Sequence, residues 1–340
     1  MSSRAFITGI SGLELSVDER TFIRDERPWG FILFKRNIDS PVQVSSLVRE
    51  LREAVGSADA PVLIDQEGGR VQRLGPPHWP VYPPGAVFGA LYDIEPRLGF
   101  QAARLSSRLI AADLIDLGIT VDCLPLADVP VDGADAVIGN RAYGTDAAKV
   151  AAIARAVTEG LVEGGVLPVL KHIPGHGRAT ADSHFGLPTV DTSREELNRT
   201  DFAAFQPLAD LPMAMTAHVV FSALDPAHPA TTSATIISQV IRGVIGFQGL
   251  LMSDDVSMNA LAGTIAERTR AIVNAGCDMV LHCNGKLDEM RDVARETPEL
   301  TGEALARAKR ALASRQQPQP LDRQAARAEL DALINRVGTA

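Results

Sequence analysis

Eight short, β-rich apolar runs recur along this 340-residue chain, and segments of helical periodicity separate most of them. The runs are Ala5–Ile10, Gly30–Phe34, Pro61–Asp65, Ile119–Leu124, Leu167–His172, Met213–Val220, Gly249–Asp254 and Asp278–His282. Between them the spacing predicts helices at Pro41–Val55, Pro96–Leu117, Asp146–Glu163, Glu195–Phe205, Ala234–Ile245 and Ile265–Ala275. Strand–helix alternation implies βαβ units and a parallel sheet, because parallel neighbours need a crossover element. An open doubly wound sheet usually stops at about five to seven strands, so eight runs predict a single-domain α/β fold, a TIM-like (β/α)8 barrel. Local signals agree. Ser193 with Glu196 forms a capping-box pattern, Ser233 is a helix cap, and Gly118, Gly164 and Gly276 stand where a helix end wants a left-handed residue. Past Gly285 the pattern is helical at Lys286–Glu296 and Thr301–Ser314, breaks at Gln316–Pro320, and ends in an amphipathic piece from Asp322 to Arg336. The expected division is a catalytic barrel over 1–315 and a loose helical tail over 316–340.

Composition narrows the partners. With 33 basic against 42 acidic residues the net charge is −9, and no basic block offers a surface that could track phosphates, so nucleic acid is excluded as a partner. No apolar run reaches the roughly 18 residues of a membrane span, and no basic segment followed by an apolar one opens the chain. A soluble cytoplasmic protein, not bound to membrane and monomeric, is the expectation. Cys123, Cys277 and Cys283 lack metal-ligand spacing and read as small buried hydrophobes in a reducing compartment.

The unusual polar clusters fall at the C-terminal ends of the predicted strands, where barrel active sites are built. The third strand ends in Asp65-Gln66-Glu67-Gly68-Gly69-Arg70-Val71-Gln72-Arg73, and the loop after the fourth holds Gly139-Asn140-Arg141-Ala142-Tyr143-Gly144. Lys171-His172 closes the fifth, followed by Gly175, His176, Gly177, Asp182, His184 and Gly186; the sixth gives Thr216 and His218, the seventh Ser253-Asp254-Asp255. Charged residues ending apolar strands need partners or a ligand. His172, His176, His184 and His218 with Asp65, Asp182, Asp254 and Asp255 raise the question of a metal, but their spacing matches no paired-ligand pattern. His218 and His282 read at least as well as strand-end histidines that satisfy backbone groups. The glycines of Pro174-Gly175-His176-Gly177 could cradle a phosphate but lack the spacing of such loops, and movement of the loop over the site is the expectation. Asp182, two residues from His184, can orient that imidazole and raise its pKa, an acid/base dyad. Of the adjacent Asp254 and Asp255, strand alternation allows only one to face the chemistry.

Four motifs together resemble the bacterial glycoside hydrolase family 3 β-N-acetylglucosaminidases: Lys171-His172-Ile173-Pro174-Gly175-His176-Gly177 with Asp182-Ser183-His184, Asp65 to Arg73, Val137-Ile138-Gly139-Asn140-Arg141, and Ser253-Asp254-Asp255-Val256-Ser257-Met258. The likeness runs from the N-terminal segment, including Gly30–Asn37, to about residue 290. It implies a TIM-like barrel without metal or organic cofactor. It also implies Asp254 as nucleophile, His184 oriented by Asp182 as general acid/base, and Asp65, Arg73, Arg141, Lys171 and His172 as the residues holding sugar hydroxyls. The single-domain members remove N-acetylglucosamine from GlcNAc-anhydroMurNAc peptides in peptidoglycan recycling, so that small molecule is the implied substrate. Ile173 and Asn140 depart from the Phe and Asp common in the family. Retaining glycoside hydrolysis independently needs a carboxylate on one face of the anomeric carbon and a proton donor on the other, and histidine can serve as both acid and base near neutral pH. The rival from another class is a metal-dependent amidohydrolase barrel that would use the histidines as ligands.

Overall fold

The computed structural model describes residues 2–179 and 186–337. Its centre is a closed barrel of eight parallel strands, β1 (Arg4–Thr8), β2 (Pro28–Leu33), β3 (Val62–Ile64), β4 (Val121–Asp122), β5 (Leu167–Ile173), β6 (Met213–Thr216), β7 (Leu250–Asp255) and β8 (Met279–His282). Each strand pairs with its chain neighbours and β8 closes on β1 through Phe6–Val280, Ile7–Leu281 and Thr8–His282. All eight predicted runs are barrel strands, so the (β/α)8 expectation holds.

The strands read as continuous apolar runs because both faces are buried. Inward, Ile7, Ile32, Leu63, Val121, Val169, Met213, Met252 and Leu281 fill the barrel; outward, Phe6, Phe31, Ile64, Leu170, Ala214, Leu251 and Val280 pack beneath the helices. Trp29 and the helix Gly302–Ala313, with Ala308 and Ala311, plug the N-terminal end of the barrel. The charged residues that follow the strands lie at the opposite, C-terminal rim.

The helices Pro41–Val55 and Ile265–Ala275 have the predicted bounds, and Glu195–Phe205 divides into Arg194–Arg199 and Asp201–Phe205. Ser193 accepts the Glu196 amide, Ser233 accepts the Ile236 amide, and Gly118 and Gly276 take positive φ. Gly164 does not: its φ is −78°, and the left-handed residue is Gly165 at φ +79°. Helices at Val17–Glu26 and Gly85–Ile94 were not predicted. The last amphipathic piece is the helix Arg323–Ile334, and it is packed rather than loose. It buries Ala326, Leu330 and Leu333, and Arg323 pairs with Asp116 at 2.7 Å on the helix Pro96–Asp116.

Candidate active site

Two register breaks shape the barrel rim. The β5–β6 ladder shifts between Leu170 and Ile173, and the β7–β8 ladder shifts between Met252 and Asp255. Such breaks re-aim the side chains beyond them. Here they turn Lys171, His172 and Asp254 toward a cavity of about 150 Å3, also lined by Phe34, Asp65, Glu67, Arg73, Arg141 and His176.

A hairpin after β3 supplies three of these groups. Gln66–Gly68 pairs antiparallel with Val71–Gln72, and the turn uses Gly68 at φ +95°, where a Cβ would lie 2.4 Å from the Pro83 carbonyl. The buried Gln66 amide accepts from the Arg73 and Leu74 amides at 2.9 and 3.0 Å and donates to the Leu74 carbonyl at 2.9 Å. Its backbone N–H donates to Asp122 at 3.0 Å. The hairpin is thereby fixed from inside, and Asp65, Glu67 and Arg73 are fixed with it.

The charges form an alternating chain. Arg73 Nη2 lies 2.9 Å from Asp65 Oδ2, Lys171 Nζ 3.0 Å from Asp65 Oδ1 and 2.6 Å from Glu67 Oε1. Arg141 closes it with Nε and Nη2 at 2.9 and 2.8 Å from the two Glu67 oxygens. Burial alone would push the Asp65 carboxyl up, but Lys171 and Arg73 more than reverse this and hold it well below the usual carboxylate range. The same opposition, with Arg141 and then Lys171 as the cations, brings Glu67 down to about 2. Burial would lower the Lys171 ammonium, and Asp65 and Glu67 instead raise it. Asp65, Glu67, Lys171 and Arg141 are therefore ionised near neutral pH, and with Arg73 the chain sets three cations beside two carboxylates in a site that can grip hydroxyls from both sides.

Beside this chain, fully buried Asp128 accepts from His172 Nδ1 at 2.7 Å and from the backbone amides of His172 and His176 at 3.3 and 2.6 Å. Nδ1 of His172 therefore carries the proton, which leaves Nε2 as an acceptor when the ring is neutral. Burial and then the nearby His172 push the His176 imidazole down to about 4, so it is neutral at pH 7. His176 itself is not loosely held, being only 3% exposed, while residues 180–185 of its loop lie outside the described residues. A Cβ at Gly177 would sit 2.1 Å from the Val129 carbonyl, so this glycine serves close packing, and a carbonyl at that spot is unsuited to a phosphate cradle.

The two adjacent aspartates differ sharply. Asp255 takes the Ser257 and Cys283 amides on Oδ1, each at 3.0 Å, and the Ser257 hydroxyl on Oδ2 at 2.6 Å. Those bonds make its carboxylate part of the turn. Asp254 is half-buried at the cavity, where its Oδ1 accepts the amide of Asp255 at 2.8 Å.

Of the predicted site residues, Asp65, Arg73, Arg141, Lys171, His172 and Asp254 converge on one cavity. Asp182 and His184 lie outside the described residues. Ile173 is fully buried and Asn140 exposed, and neither lines the cavity. The sequence reading gave no role to Glu67, Asp128 or His176. Asp128 could have been found as the lone charge in Leu124-Pro125-Leu126-Ala127-Asp128-Val129, since an isolated charge in an apolar run must have a partner. The three cysteines are free and buried, as expected.

A closed parallel barrel that gathers alternating charges and a carboxylate at its C-terminal rim belongs to the class of (β/α)8 barrels that carry their active site at that rim. Residues 9–313 match the Glycosyl hydrolase family 3 N terminal domain, and the chain belongs to that family. It is a glycoside hydrolase of the β-N-acetylhexosaminidase group, as the motifs implied. It is 40% identical over 283 residues to the beta-hexosaminidase of Alkalilimnicola ehrlichii, covering 81% of this chain and 79% of that one. It is 36% identical over 304 residues to the beta-hexosaminidase of Methylobacillus flagellatus, covering 88% and 85%. The solved structure of NagZ from Neisseria gonorrhoeae, in complex with zinc ion, superposes with a TM-score of 0.87 at 30% identity over 98% of this chain and 99% of that one. A family 3 β-N-acetylglucosaminidase from Paenibacillus sp. FPU-7 gives 0.83 at 30% identity, and the chain spans 66% of that longer protein.

Proposed function

We propose that the protein is a retaining exo-β-N-acetylglucosaminidase that removes terminal N-acetylglucosamine from peptidoglycan-derived anhydro-muropeptides. Residues 1–315 are the catalytic unit and 316–340 an appended tail, in a cytoplasmic monomer. In the first step Asp254 attacks the anomeric carbon while His184, oriented by Asp182, gives its proton to the departing oxygen. The C–O bond to the leaving sugar breaks, and a glycosyl ester forms on Asp254. In the second step the neutral His184 takes a proton from water, the water oxygen bonds to the anomeric carbon, and the Asp254 carboxylate is released. Asp65, Arg73, Lys171, His172 and Arg141 hold the hydroxyls of the one terminal ring.

The observation that carries this reading is the contrast at Asp254-Asp255: both line the cavity, but both carboxylate oxygens of Asp255 accept hydrogen bonds from Ser257 and the Cys283 amide, whereas Asp254 takes the Asp255 amide on Oδ1 at the cavity. The metal-dependent amidohydrolase alternative is not favoured. The family 3 match and the beta-hexosaminidase relatives speak for a glycoside hydrolase, and the Asp65 and Glu67 carboxylates are paired with cations. Among the described residues, no helix is long and apolar enough to cross a membrane.

The test is turnover of an aryl N-acetyl-β-glucosaminide beside the matching glucoside, each with and without a chelator. Strong preference for the N-acetylated sugar, unchanged by chelation, is expected. Loss of turnover on chelation, restored by added metal, would contradict it.

A further inference from the structure

One histidine singled out in the sequence has no part in the steps above. His218 follows β6 and is fully buried, as are Thr216 and Thr231. Its Nε2 lies 3.0 Å from the carbonyl oxygen of Asp255, which can only accept, so Nε2 carries a proton. Its Nδ1 lies 2.7 Å from Thr231 Oγ1, and Thr231 Oγ1 lies 2.8 Å from Thr216 Oγ1. In the neutral ring Nδ1 accepts from Thr231, which accepts in turn from Thr216, so donation runs one way toward Asp255. The other acceptor within reach of the Thr231 hydroxyl is the Ala217 carbonyl at 3.0 Å.

The carbonyl that His218 holds belongs to the residue after Asp254. That carbonyl also takes the Met258 amide at 3.1 Å, and the Asp255 amide donates to Asp254 Oδ1 at 2.8 Å. A side chain just past β6 thus holds the Asp255–Val256 peptide, one peptide beyond the bond that joins Asp254 to Asp255. We infer that His218, braced by Thr231, is a positioning residue of the reaction. It fixes the backbone of Asp254-Asp255 so that the Asp254 carboxylate faces the anomeric carbon, without itself touching the sugar. The inference rests on Asp254 being the nucleophile.

The test compares two amide replacements, because asparagine reaches only the Nδ1 position whereas glutamine places a donor near that of Nε2. His218→Asn should lower kcat on an aryl N-acetyl-β-glucosaminide by about 10- to 100-fold, the scale of a nucleophile displaced by a fraction of an ångström. Inhibition by free N-acetylglucosamine, which reports the hydroxyl-gripping charges, should stay within about twofold, since those contacts persist in the ground state. His218→Gln should recover most of the lost kcat, and Thr231→Val should lose rate where Thr231→Ser does not. If His218→Asn fails to fold, the Thr231 pair makes the comparison alone. A folded His218→Asn with wild-type kcat would overturn the inference. So would a loss of kcat and N-acetylglucosamine binding together that glutamine does not repair, because that marks a collapse of the pocket. Asp254→Asn is assayed in parallel. If it stays active, the nucleophile reading falls and the inference with it; if it is inactive while His218→Asn is unaffected, the inference alone falls.

Discussion

Asp65 shows how the geometry changes a prediction. From sequence, Asp65→Ala is expected to cut activity and leave stability nearly unchanged, or even raise it. The carboxylate, however, bonds both Lys171, whose side chain is 2% exposed, and Arg73, and its removal leaves Lys171 with Glu67 alone. The variant should lose roughly 30- to 1000-fold in kcat/KM, equivalent to about 2–4 kcal/mol of transition-state binding. It should also unfold about 2–3 kcal/mol more easily by urea titration, since stranding one member of a buried pair is costly. Wild-type stability would mean that water reaches Lys171. His176 carries a second prediction. Its folded pKa of about 4 lies below the ordinary 6.5, so between those values the unfolded chain binds more protons. Stability should be full above pH 6.5 and fall by up to roughly 3 kcal/mol as the pH drops to about 4. The slope should flatten in His176→Gln, and equal slopes in the two proteins would show that His176 is not the group responsible. Six residues that meet at the rim, Asp65, Arg73, Arg141, Lys171, His172 and Asp254, were legible because each sits at or in the loop after a strand end, whereas Glu67, Asp128 and His176 were missed. Which rim groups pair was not legible, because Glu67 and Arg141 are 74 positions apart.

Among the elements, strands were the most legible, since a strand buried on both faces leaves an apolar run whose shortness and flanking turn residues set it apart from the longer periodic helices. Helix Val17–Glu26 escaped notice because it shows only Phe22, Ile23 and Glu19 to the interior, although Ser16 and Glu19 form a reciprocal capping box that could have marked it. Helix Gly85–Ile94 starts on a glycine behind Pro84 and lacks a side-chain cap. The tail helix shows why packing cannot be read from amphipathicity alone. Arg327 lies over the Tyr82 ring at 5.6 Å and donates to the Val81 carbonyl at 3.0 Å. Tyr82 in turn donates to Asp113 at 2.6 Å, and its amide donates to Gln72 at 2.9 Å, so the tail braces the segment that follows the active-site hairpin. Tyr82→Phe should cost about 1–2 kcal/mol in urea, because half-buried Asp113 loses its hydrogen bond. No change would mean that Arg323, 3.9 Å away, takes over the carboxylate.

On the scale of the whole molecule, closure of the barrel turns eight separate strand ends into one site. Residues drawn from β3, β5 and β7 and their loops, spread over positions 65 to 254, meet at a cavity that no single segment encodes. A chain of net charge −9 there concentrates three cations around two carboxylates, with Asp254 on the same cavity. If Asp254 is the nucleophile, it becomes glycosylated during turnover. A 5-fluoro N-acetylglucosaminyl donor, or a 2-deoxy-2-fluoro glucosyl donor that lacks the acetamido group, should trap this ester, because fluorine slows both steps by destabilising the oxocarbenium-like transition state while the activated leaving group sustains the first. After protease digestion, mass spectrometry should find the sugar's mass on the peptide containing Ser253-Asp254-Asp255, with fragmentation placing it on Asp254. A label on Asp255 or on another residue would rule out Asp254 as the nucleophile.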